Sequence, residues 1–187
     1  DAPILLLNYT PPNAVRQAIR QHLILTIYDL DMARAYDRAA RELGELLVVH
    51  VKVDTGMGRL GAMPKEAMSL FRHIMNLKNL DVQGIYTHFA SADEDLEYTA
   101  YQVKSFKDII KPLRASGFDF RYIHAANSAA TLASRDNHFN MVRVGIAMYG
   151  LSPSTAVPVP PDFRPVLTWK TIVAQVKTLP PNHAVGY

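Results

Sequence analysis

Short apolar runs alternate along this chain with longer amphipathic stretches, a rhythm typical of proteins in which strands and helices follow one another. The apolar runs predict six strands, at residues 2–8, 23–28, 46–53, 82–88, 120–125 and 141–144. The third run, LLVVHVKV, is almost continuously apolar. It therefore predicts a strand that is covered on both faces, as in a parallel sheet under helices.

Amphipathic stretches between the runs predict the helices, and capping residues set their limits. The expected helices run from Thr10 as N-cap, ahead of Pro11 and Pro12, to about residue 22, from Asp29 or Asp31 to Glu42, from Pro64 to about Leu77, and from Asp93 to near Gly117, with a short one after Asn127. Gly44 is expected to end the second helix. In the longest helix the apolar residues recur at intervals of mainly three and four, which predicts one common face: Tyr98, Tyr101, Val103, Phe106, Ile109, Ile110 and Leu113.

Strands that alternate with helices at this spacing predict parallel βαβ units, arranged either as a barrel or as an open, doubly wound sheet. Polar side chains stand at successive strand ends, namely Lys52, Asp54, His88, His124 and Arg143. A (β/α)8 barrel gathers its strand ends into one ring, so this arrangement favours the barrel. Such a barrel typically needs about 250 residues. The predicted fold class is therefore α/β, a partial (β/α)8 TIM-like barrel with about six of eight βα units.

The pattern changes after Leu151. Residues 152–165 hold five prolines and almost no helical periodicity, which predicts a linker. Residues 166–179 return to a sequence rich in Thr, Val and Ile, which predicts strands. The expected organisation is a partial barrel at 1–151, a Pro-rich linker at 152–165 and the start of a β-rich C-terminal domain at 166–187.

Composition excludes several classes of function. Hydrophobic residues make up 49% and charged residues 20% of the 187 residues, as in ordinary soluble globular proteins. The net charge of +3 is spread along the chain, without a block of like charge that would indicate a nucleic-acid or membrane partner. No apolar run approaches the roughly 18 residues of a membrane span, and no signal peptide is visible. The chain has no cysteine, which excludes disulfides and thiolate metal sites and fits a reducing cytoplasm.

Residues 50–61, HVKVDTGMGRLG, form the stretch around which the candidate chemistry is organised. The glycines Gly56, Gly58 and Gly61 follow the third predicted strand and allow the backbone to turn sharply and approach a ligand. Arg59 lies just beyond the carboxyl end of that strand, where α/β proteins hold their reactive groups. Taken alone, the stretch is equally well interpreted as a Gly-rich turn with an exposed arginine.

Three further stretches follow in order: GIYTHFASAD at 84–93, HAANSAAT at 124–131 and VRVGIAMYGLSPS at 142–154. Together with residues 50–61 they resemble alanine racemases, pyridoxal-phosphate (PLP) enzymes that interconvert L- and D-alanine. The resemblance covers essentially the whole chain. It implies a fold-type III barrel with PLP as cofactor and a homodimer whose active sites are shared between subunits. It also implies a bacterial, cytoplasmic enzyme that supplies D-alanine for peptidoglycan.

The phosphate site of PLP can be argued from residues as well as from the resemblance. Arg143 is followed by Val-Gly-Ile, so the chain leaves a strand and turns at Gly145, where backbone N–H groups of Gly145 and Ile146 can face an anion. Ser128, next to Asn127 at a helix start, can donate its hydroxyl. Barrel loops after the last two strands often bind phosphate. Singly, each feature is equally well a helix cap or a turn.

The resemblance assigns Arg143 to the pyridine nitrogen of PLP, with His124 bonded to Arg143 and holding it in place. Most PLP enzymes have a carboxylate at that nitrogen. A guanidinium cannot accept the proton at ordinary pH, so the nitrogen is expected to stay unprotonated. Side reactions that depend on a fully delocalised carbanion should then be suppressed. The alternative is an arginine paired with an acidic residue at the barrel rim.

The resemblance also assigns the proton-transfer groups. Tyr187 matches the general base for one face of alanine, and His88 is expected beside the cofactor ring in hydrogen-bond contact with that tyrosine. A nearby histidine and arginine could lower the tyrosine pKa from roughly 10. The other base in the family is the Schiff-base lysine, and the N-terminal block that carries it is not present in residues 1–187. That role is therefore transferred to no lysine of this chain.

Arg59 is expected to bond the phenolic oxygen of PLP and to hold the substrate carboxylate, for which a guanidinium fork is suited. Lys52 is carbamylated in many family members, which turns a cation into an anion that orients the arginine. An ion pair between Lys52 and Asp54 is an equally good interpretation.

The sequence thus predicts a fragment of an alanine racemase that is inactive by itself, because the Schiff-base lysine is missing. One alternative is a related fold-type III racemase for serine or a broader range of amino acids, or a decarboxylase. The other is a non-catalytic barrel fragment.

Overall fold

The computed structural model describes residues 2–186, which form a five-stranded parallel sheet with helices between consecutive strands. The strands are β1 (Ile4–Leu5), β2 (Leu23–Ile27), β3 (Leu47–Lys52), β4 (Leu80–Tyr86) and β5 (Tyr122–His124), in the order β1-β2-β3-β4-β5. The helices are α1 (Pro12–Arg20), α2 (Leu30–Leu43), α3 (Pro64–Ile74), α4 (Leu96–Ala115) and α5 (Ser128–Ala133). The predicted α/β class is confirmed, as an α/β half-barrel.

Chain chemistry explains where several of these elements begin and end. The Asp29 side chain accepts a hydrogen bond from the Met32 N–H at 2.7 Å and so caps α2. Gly44 ends the same helix with φ +68°, a conformation that favours glycine. Asp29 is one of the two caps that the sequence predicted for this helix, and Gly44 is the predicted terminus.

The two faces of the sheet differ in chemistry because neighbouring residues on a strand point to opposite sides. The outward positions are apolar and buried under the helices: Leu25, Ile27, Val49, Val51, Ile85 and Ile123. The inward positions of β3, β4 and β5 carry polar and aromatic side chains: His50, Lys52, Tyr86, Tyr122 and His124, with Gly84 among them. The inner face therefore holds the chemistry, and the outer face holds the core.

The first part of the chain differs from the prediction in two places. The N-cap of α1 is Pro11, not Thr10, and no side chain caps this helix. The carbonyl of Thr10 instead accepts a 2.6 Å hydrogen bond from the Tyr36 hydroxyl, which ties the loop to α2. Residues 2–8 form only the two-residue strand β1, and Ile4 is 56% exposed because β1 is the edge of the sheet.

Later differences concern element limits. Helix α4 starts at Leu96 behind Asp95, whose carboxylate accepts the Tyr98 N–H, so Asp93 is not its cap. Helix α3 ends at Ile74, three residues before the expected Leu77. The sixth predicted strand is reduced to a single bridge between Met141 and His124, because the chain turns away at Gly145.

The remaining residues are irregular. No strand or helix is assigned within 166–186, and most of these side chains are exposed. The division into barrel, linker and β domain stays a prediction. Within residues 2–186, no helix combines the length and apolarity needed to cross a membrane.

Helix α4 provides a test of the core. Phe106 is fully buried and meets Phe139 edge-on, with ring centroids 5.2 Å apart. We expect Phe106→Ala to lower the free energy of unfolding by about 3–5 kcal/mol, because it leaves a cavity. Tyr101 lies on the same helix but is 60% exposed, so the matched Tyr101→Ala should cost less than about 1 kcal/mol. Urea denaturation measures both; equal losses would contradict this packing.

Candidate functional site

The glycine-rich loop after β3 is organised by Asp54. One oxygen of its carboxylate accepts hydrogen bonds from the backbone N–H groups of residues 56–58 at 2.9, 2.8 and 3.1 Å. Gly61 closes the loop tightly, since a Cβ there would lie 2.6 Å from the Asp54 backbone nitrogen. Arg59 is exposed on this loop. The loop therefore presents a guanidinium at the carboxyl end of β3.

Gln102 of α4 joins this loop to the loop after β4. Its side chain is fully buried, and Nε2 donates to the His88 carbonyl at 3.1 Å and to Thr55 Oγ1 at 3.4 Å. Its Oε1 accepts the Ala90 N–H at 2.9 Å. Thr55 Oγ1 also lies 2.8 Å from Thr87 Oγ1. The backbone around His88 is therefore fixed from the helix side.

Arg143 is bound by groups from the ends of β4 and β5. Its Nη2 donates to the carbonyl oxygens of Thr87 at 2.9 Å and Ala125 at 3.0 Å, and lies 3.2 Å from His88 Nδ1. Its Nη1 donates to His124 Nδ1 at 2.6 Å. The hydrogen bond predicted between Arg143 and His124 is therefore present, and the guanidinium orientation is fixed by several acceptors.

One nitrogen of Arg143 has no acceptor among the described residues. Its Nε–H is buried and has no hydrogen-bond partner among residues 2–186. Burial lowers the pKa of Arg143 to about 10, so the side chain remains charged at neutral pH. Buried donors are almost always paired. The unpaired Nε–H therefore indicates that an acceptor from another molecule or segment belongs here.

Tyr86 lies at the centre of the inner face. The His124 ring stacks on it with centroids 4.6 Å apart and planes within 7°, and the Arg143 guanidinium carbon lies 5.2 Å from its ring centroid. Its hydroxyl contacts Thr26 Oγ1 at 2.8 Å and donates to the Leu7 carbonyl at 3.1 Å. Desolvation raises the pKa of Tyr86 to about 12, which makes it a neutral support and not an acid.

Lys52 is a buried cation that forms no salt bridge with an acidic side chain among residues 2–186. It is 2% exposed, and its Nζ lies 5.5 Å from the Tyr86 ring centroid. Burial, together with the charges of Arg59 and Arg143, lowers the pKa of Lys52 to about 8. The ion pair with Asp54 that the sequence left open is not among the salt bridges of the described residues. An amine with this pKa is partly neutral, and so nucleophilic, near neutral pH.

His88 is held neutral by the same surroundings. Desolvation, followed by the positive charges of Arg143, Arg59 and Lys52, lowers its pKa to about 4. Arg143 Nη2 lies 3.2 Å from His88 Nδ1 and cannot accept a hydrogen bond, so the proton of the neutral ring resides on Nε2. His88 can therefore donate one hydrogen bond from Nε2 to a group in front of the ring.

Ser128 and the turn at Gly145 form a second group of polar atoms. Asn127 is the N-cap of α5, and Ser128 follows it. Ser128 Oγ accepts the N–H of Gly145 at 2.9 Å and of Ala147 at 3.3 Å. The Gly145 N–H is therefore turned toward Ser128, and the Ser128 hydroxyl proton remains available to an anion. Ile146, beside them, is exposed.

The structure thus brings Lys52, His124 and Arg143 together around Tyr86, with His88 beside Arg143. Arg59 stands on the neighbouring loop, and Tyr187 lies outside the described residues. The sequence reasoning missed Tyr86, His50 and Gln102. His50 and Tyr86 lie two positions before Lys52 and His88, so the two-residue period of a strand could have found them. No signal in the sequence distinguishes Gln102 from a solvent-exposed helix residue.

The chain is similar in sequence to known proteins. Residues 1–153 match the family model described as the N-terminal domain of alanine racemase. A curated alanine racemase from Desulfovibrio desulfuricans is 44% identical over 99% of this chain and 50% of its own length. One from Carboxydothermus hydrogenoformans is 41% identical over 100% of this chain and 51% of its own.

Solved structures show the same relationship. An alanine racemase from Clostridium difficile 630, in complex with cycloserine, has a TM-score of 0.82 and 39% identity. The match covers 84% of this chain and 44% of that one. The chain spans about half the length of the curated relatives it matches.

The neutral histidines predict a pH dependence of stability. The pKa values of His50 and His88 are lowered to about 4, and that of His124 to about 2, mainly by desolvation, from an ordinary 6.5. Between about pH 6.5 and 4 the unfolded chain therefore binds protons that the folded chain does not. The free energy of unfolding should be fully retained above pH 6.5 and should fall as the pH drops through this window.

The test uses the completed protein, meaning this chain joined at both ends to the flanking segments of the Desulfovibrio relative, without cofactor. Urea denaturation across the window should show a shallower pH slope for His88→Asn than for the parent. His22 is exposed with φ +54°, which asparagine tolerates, so His22→Asn should leave the slope unchanged. A slope that His88→Asn does not alter would contradict a neutral His88.

Proposed function

Because this chain belongs to the alanine racemase N-terminal domain family, we propose that it forms the cofactor-binding barrel of a PLP-dependent alanine racemase. The proposed reaction is the interconversion of L- and D-alanine. The curated relatives are about twice as long as this chain, so the activity is proposed for the whole protein and not for residues 1–187 alone.

The observation that carries this proposal is the unpaired Nε–H of Arg143. PLP contains a pyridine nitrogen whose lone pair can accept that hydrogen bond when the nitrogen is unprotonated. The guanidinium is held by His124 and by two carbonyl oxygens, so its orientation is fixed and its Nε–H cannot turn toward another acceptor. The residues present therefore fit the cofactor.

Bound PLP supplies an electron sink that weakens the Cα–H bond of an amino acid attached to it. Arg143 moderates that sink, because a guanidinium donates to the pyridine nitrogen and leaves it without a proton. The neutral His88, in hydrogen-bond reach of Arg143, adds no second charge beside the ring. This environment favours simple return of the proton over reactions that need stronger charge delocalisation.

The other polar groups have separate roles in the proposal. The Ser128 hydroxyl donates to the phosphate, with Asn127 holding the start of α5 and Gly145 and Ile146 forming the adjacent turn. Arg59 holds the substrate carboxylate and the phenolic oxygen of PLP. Its loop, fixed by Asp54 through three backbone N–H groups, restricts where the guanidinium can lie.

Racemisation needs one base on each face of the α-carbon. Tyr187 Oη is proposed to remove or return the proton on one face, in the active site of a partner subunit of a homodimer. The base for the other face is a lysine from a segment that residues 1–187 do not contain. In this proposal the chain contributes one base, Tyr187, the residues that bind the cofactor, and Arg59, which holds the substrate carboxylate.

Lys52 is proposed to be carbamylated. The ammonium first loses one proton to solvent, and the neutral Nζ then attacks CO2. A new N–C bond forms as one C–O π bond opens, and a second proton leaves to solvent, so that the cation becomes an anionic carbamate. At pH 7 about a tenth of a lysine with a pKa of about 8 is neutral, far more than of a lysine with an ordinary pKa. The anion would relieve the repulsion that Lys52 experiences from Arg59 and Arg143 and would orient Arg59.

The racemase proposal is tested with the completed protein, PLP and L-alanine. D-alanine formation is expected, and Tyr187→Phe should lower kcat by about 10²–10⁴-fold, the usual contribution of a general base. Arg59→Ala should lower kcat/KM by a similar factor. Arg72 is an exposed arginine on α3, and Arg72→Ala is the matched control that should change neither value.

The outcomes separate the alternatives. A protein with PLP absorbance that racemises serine or other amino acids better than alanine would favour the related racemase. One that releases CO2 would favour a decarboxylase. A folded protein without PLP absorbance would leave only the non-catalytic barrel.

Carbamylation is tested by ¹³C NMR of the completed protein in ¹³C-bicarbonate. One carbamate resonance is expected, and Lys52→Ala should remove it. Lys104 is exposed and paired with Asp108 at 2.7 Å, so Lys104→Ala should retain the resonance. A spectrum without a carbamate signal at high bicarbonate, or one that survives Lys52→Ala, would contradict this role.

A further inference from the structure

We propose that His50 is a positioning residue for Arg143, acting through His124 by supplying the acceptor for the proton that the His124 ring carries on Nε2. The proposal rests on the proposed function of Arg143 at the pyridine nitrogen. His50 is 2% exposed on the inner face of β3 and has no place in the mechanism given above.

The three side chains form one chain of hydrogen bonds. Arg143 Nη1 and His124 Nδ1 are 2.6 Å apart, and His124 Nε2 and His50 Nδ1 are 2.9 Å apart. Both histidines are buried, so water does not compete for these bonds. His124 therefore uses both of its ring nitrogens in these hydrogen bonds, and His50, at the end of the chain of bonds, uses one.

The direction of every bond follows from Arg143. A guanidinium only donates, so His124 Nδ1 must accept and carry no proton. A neutral imidazole then carries its proton on Nε2, which must donate to His50 Nδ1. His50 in turn carries its proton on Nε2. The opposite direction would place two N–H groups against each other across 2.6 Å.

The buried Nε2 of His50 is the predicted end of this chain. It has no hydrogen-bond partner among residues 2–186. A buried donor without a partner is destabilising, so the local surroundings of His50 do not select this tautomer. This His50 tautomer is selected because His124 Nε2–H needs an acceptor, which His50 Nδ1 provides only when it carries no proton.

The backbone is shaped to allow the contact between His50 and His124, which lie on strands separated by β4. His50 is paired in register with Gly84 of β4, at a shift in the β3–β4 register. A Cβ on Gly84 would lie 2.7 Å from His50 Nδ1 and Cε1. Gly84 has no unusual φ, so it is required here for space, which lets the His50 ring reach across β4 toward β5.

Aromatic rings fix the planes of both histidines. Tyr122 stacks on His50 with centroids 5.5 Å apart, and Tyr86 stacks on His124 at 4.6 Å. The ring planes, the register and the missing side chain of Gly84 together hold one acceptor, His50 Nδ1, against His124 Nε2. Without that acceptor, His124 Nε2–H would be a buried unpaired donor.

Loss of the acceptor should therefore change His124. Its proton would move to Nδ1, where it opposes Arg143, or the ring would rotate away. Either change removes one anchor of the guanidinium and shifts the Nε–H from the pyridine nitrogen. His50 therefore controls the alignment of a group that it does not touch.

Two variants of nearly equal shape isolate this effect. His50→Asn keeps an oxygen where Nδ1 stood, and His50→Leu does not. In the completed holoenzyme, His50→Leu should lower kcat/KM by about tenfold or more and alter the absorbance spectrum of bound PLP. His50→Asn should restore most of both, a rescue that a purely packing role would not give.

The deciding measurement is ¹H–¹⁵N NMR of the histidine rings, which reports tautomers without depending on activity. In the parent we expect His124 and His50 both protonated on Nε2 alone; the His50 signals are assigned by their loss in His50→Asn and those of His124 by their shift there. Nδ1-protonated His124 in the parent, or equal spectra and rates for Asn and Leu at position 50, would overturn the proposal. If His50→Leu does not fold, the parent spectrum still decides.

A different result would refute the proposed function. A parent protein that forms no D-alanine would refute the racemase assignment whatever the histidine tautomers are. A racemase whose His124 carries its proton on Nδ1 would refute the role of His50 alone.

Discussion

The inner face of the half-barrel depends on one partly buried guanidinium, that of Arg143. A buried charge is costly unless its donors are paired, and Arg143 has no carboxylate partner among the described residues. Its partners are instead two carbonyl oxygens and two imidazole nitrogens. These acceptors come from the ends of β4 and β5, so satisfying one side chain also fixes two strand ends relative to each other.

The absence of a counter-charge governs the rest of the site. Positive groups at Arg59 and Lys52 face the same region. Desolvation, reinforced by the neighbouring positive charges, lowers the pKa values of His88 and Lys52, whereas Tyr86 stays protonated because desolvation outweighs those charges. An excess of fixed positive charge suits a phosphate-bearing cofactor and a carboxylate substrate. It also explains why carbamylation of Lys52, which adds an anion, would stabilise the site.

The sequence was sufficient for the features that depend on local chemistry. The Asp29 cap, the Gly44 terminus and the parallel order follow from short-range rules and are present. Thr10 failed as a cap because Pro11, held extended ahead of Pro12, makes the helix start one residue later. The strand at 141–144 was shortened by the turn toward Ser128. The contact between Arg143 and His124 was available only through family resemblance, since no spacing rule places residues of β5 and the following turn together.

The two-residue strand period places His50 on the inner face, but its role there could not be predicted from the sequence. On a covered strand a histidine is indistinguishable from a satisfied core residue until its partner is known. That partner, His124, lies two strands away and is reached only because Gly84 lacks a side chain. Since a guanidinium supplies donors only, each bond from Arg143 to His50 has one direction, and unpaired donors are left at Arg143 Nε and His50 Nε2. The Arg143 Nε–H is the donor proposed for the pyridine nitrogen of the cofactor. The unpaired His50 Nε2–H shows that Arg143, and not the surroundings of His50, sets the direction of these hydrogen bonds.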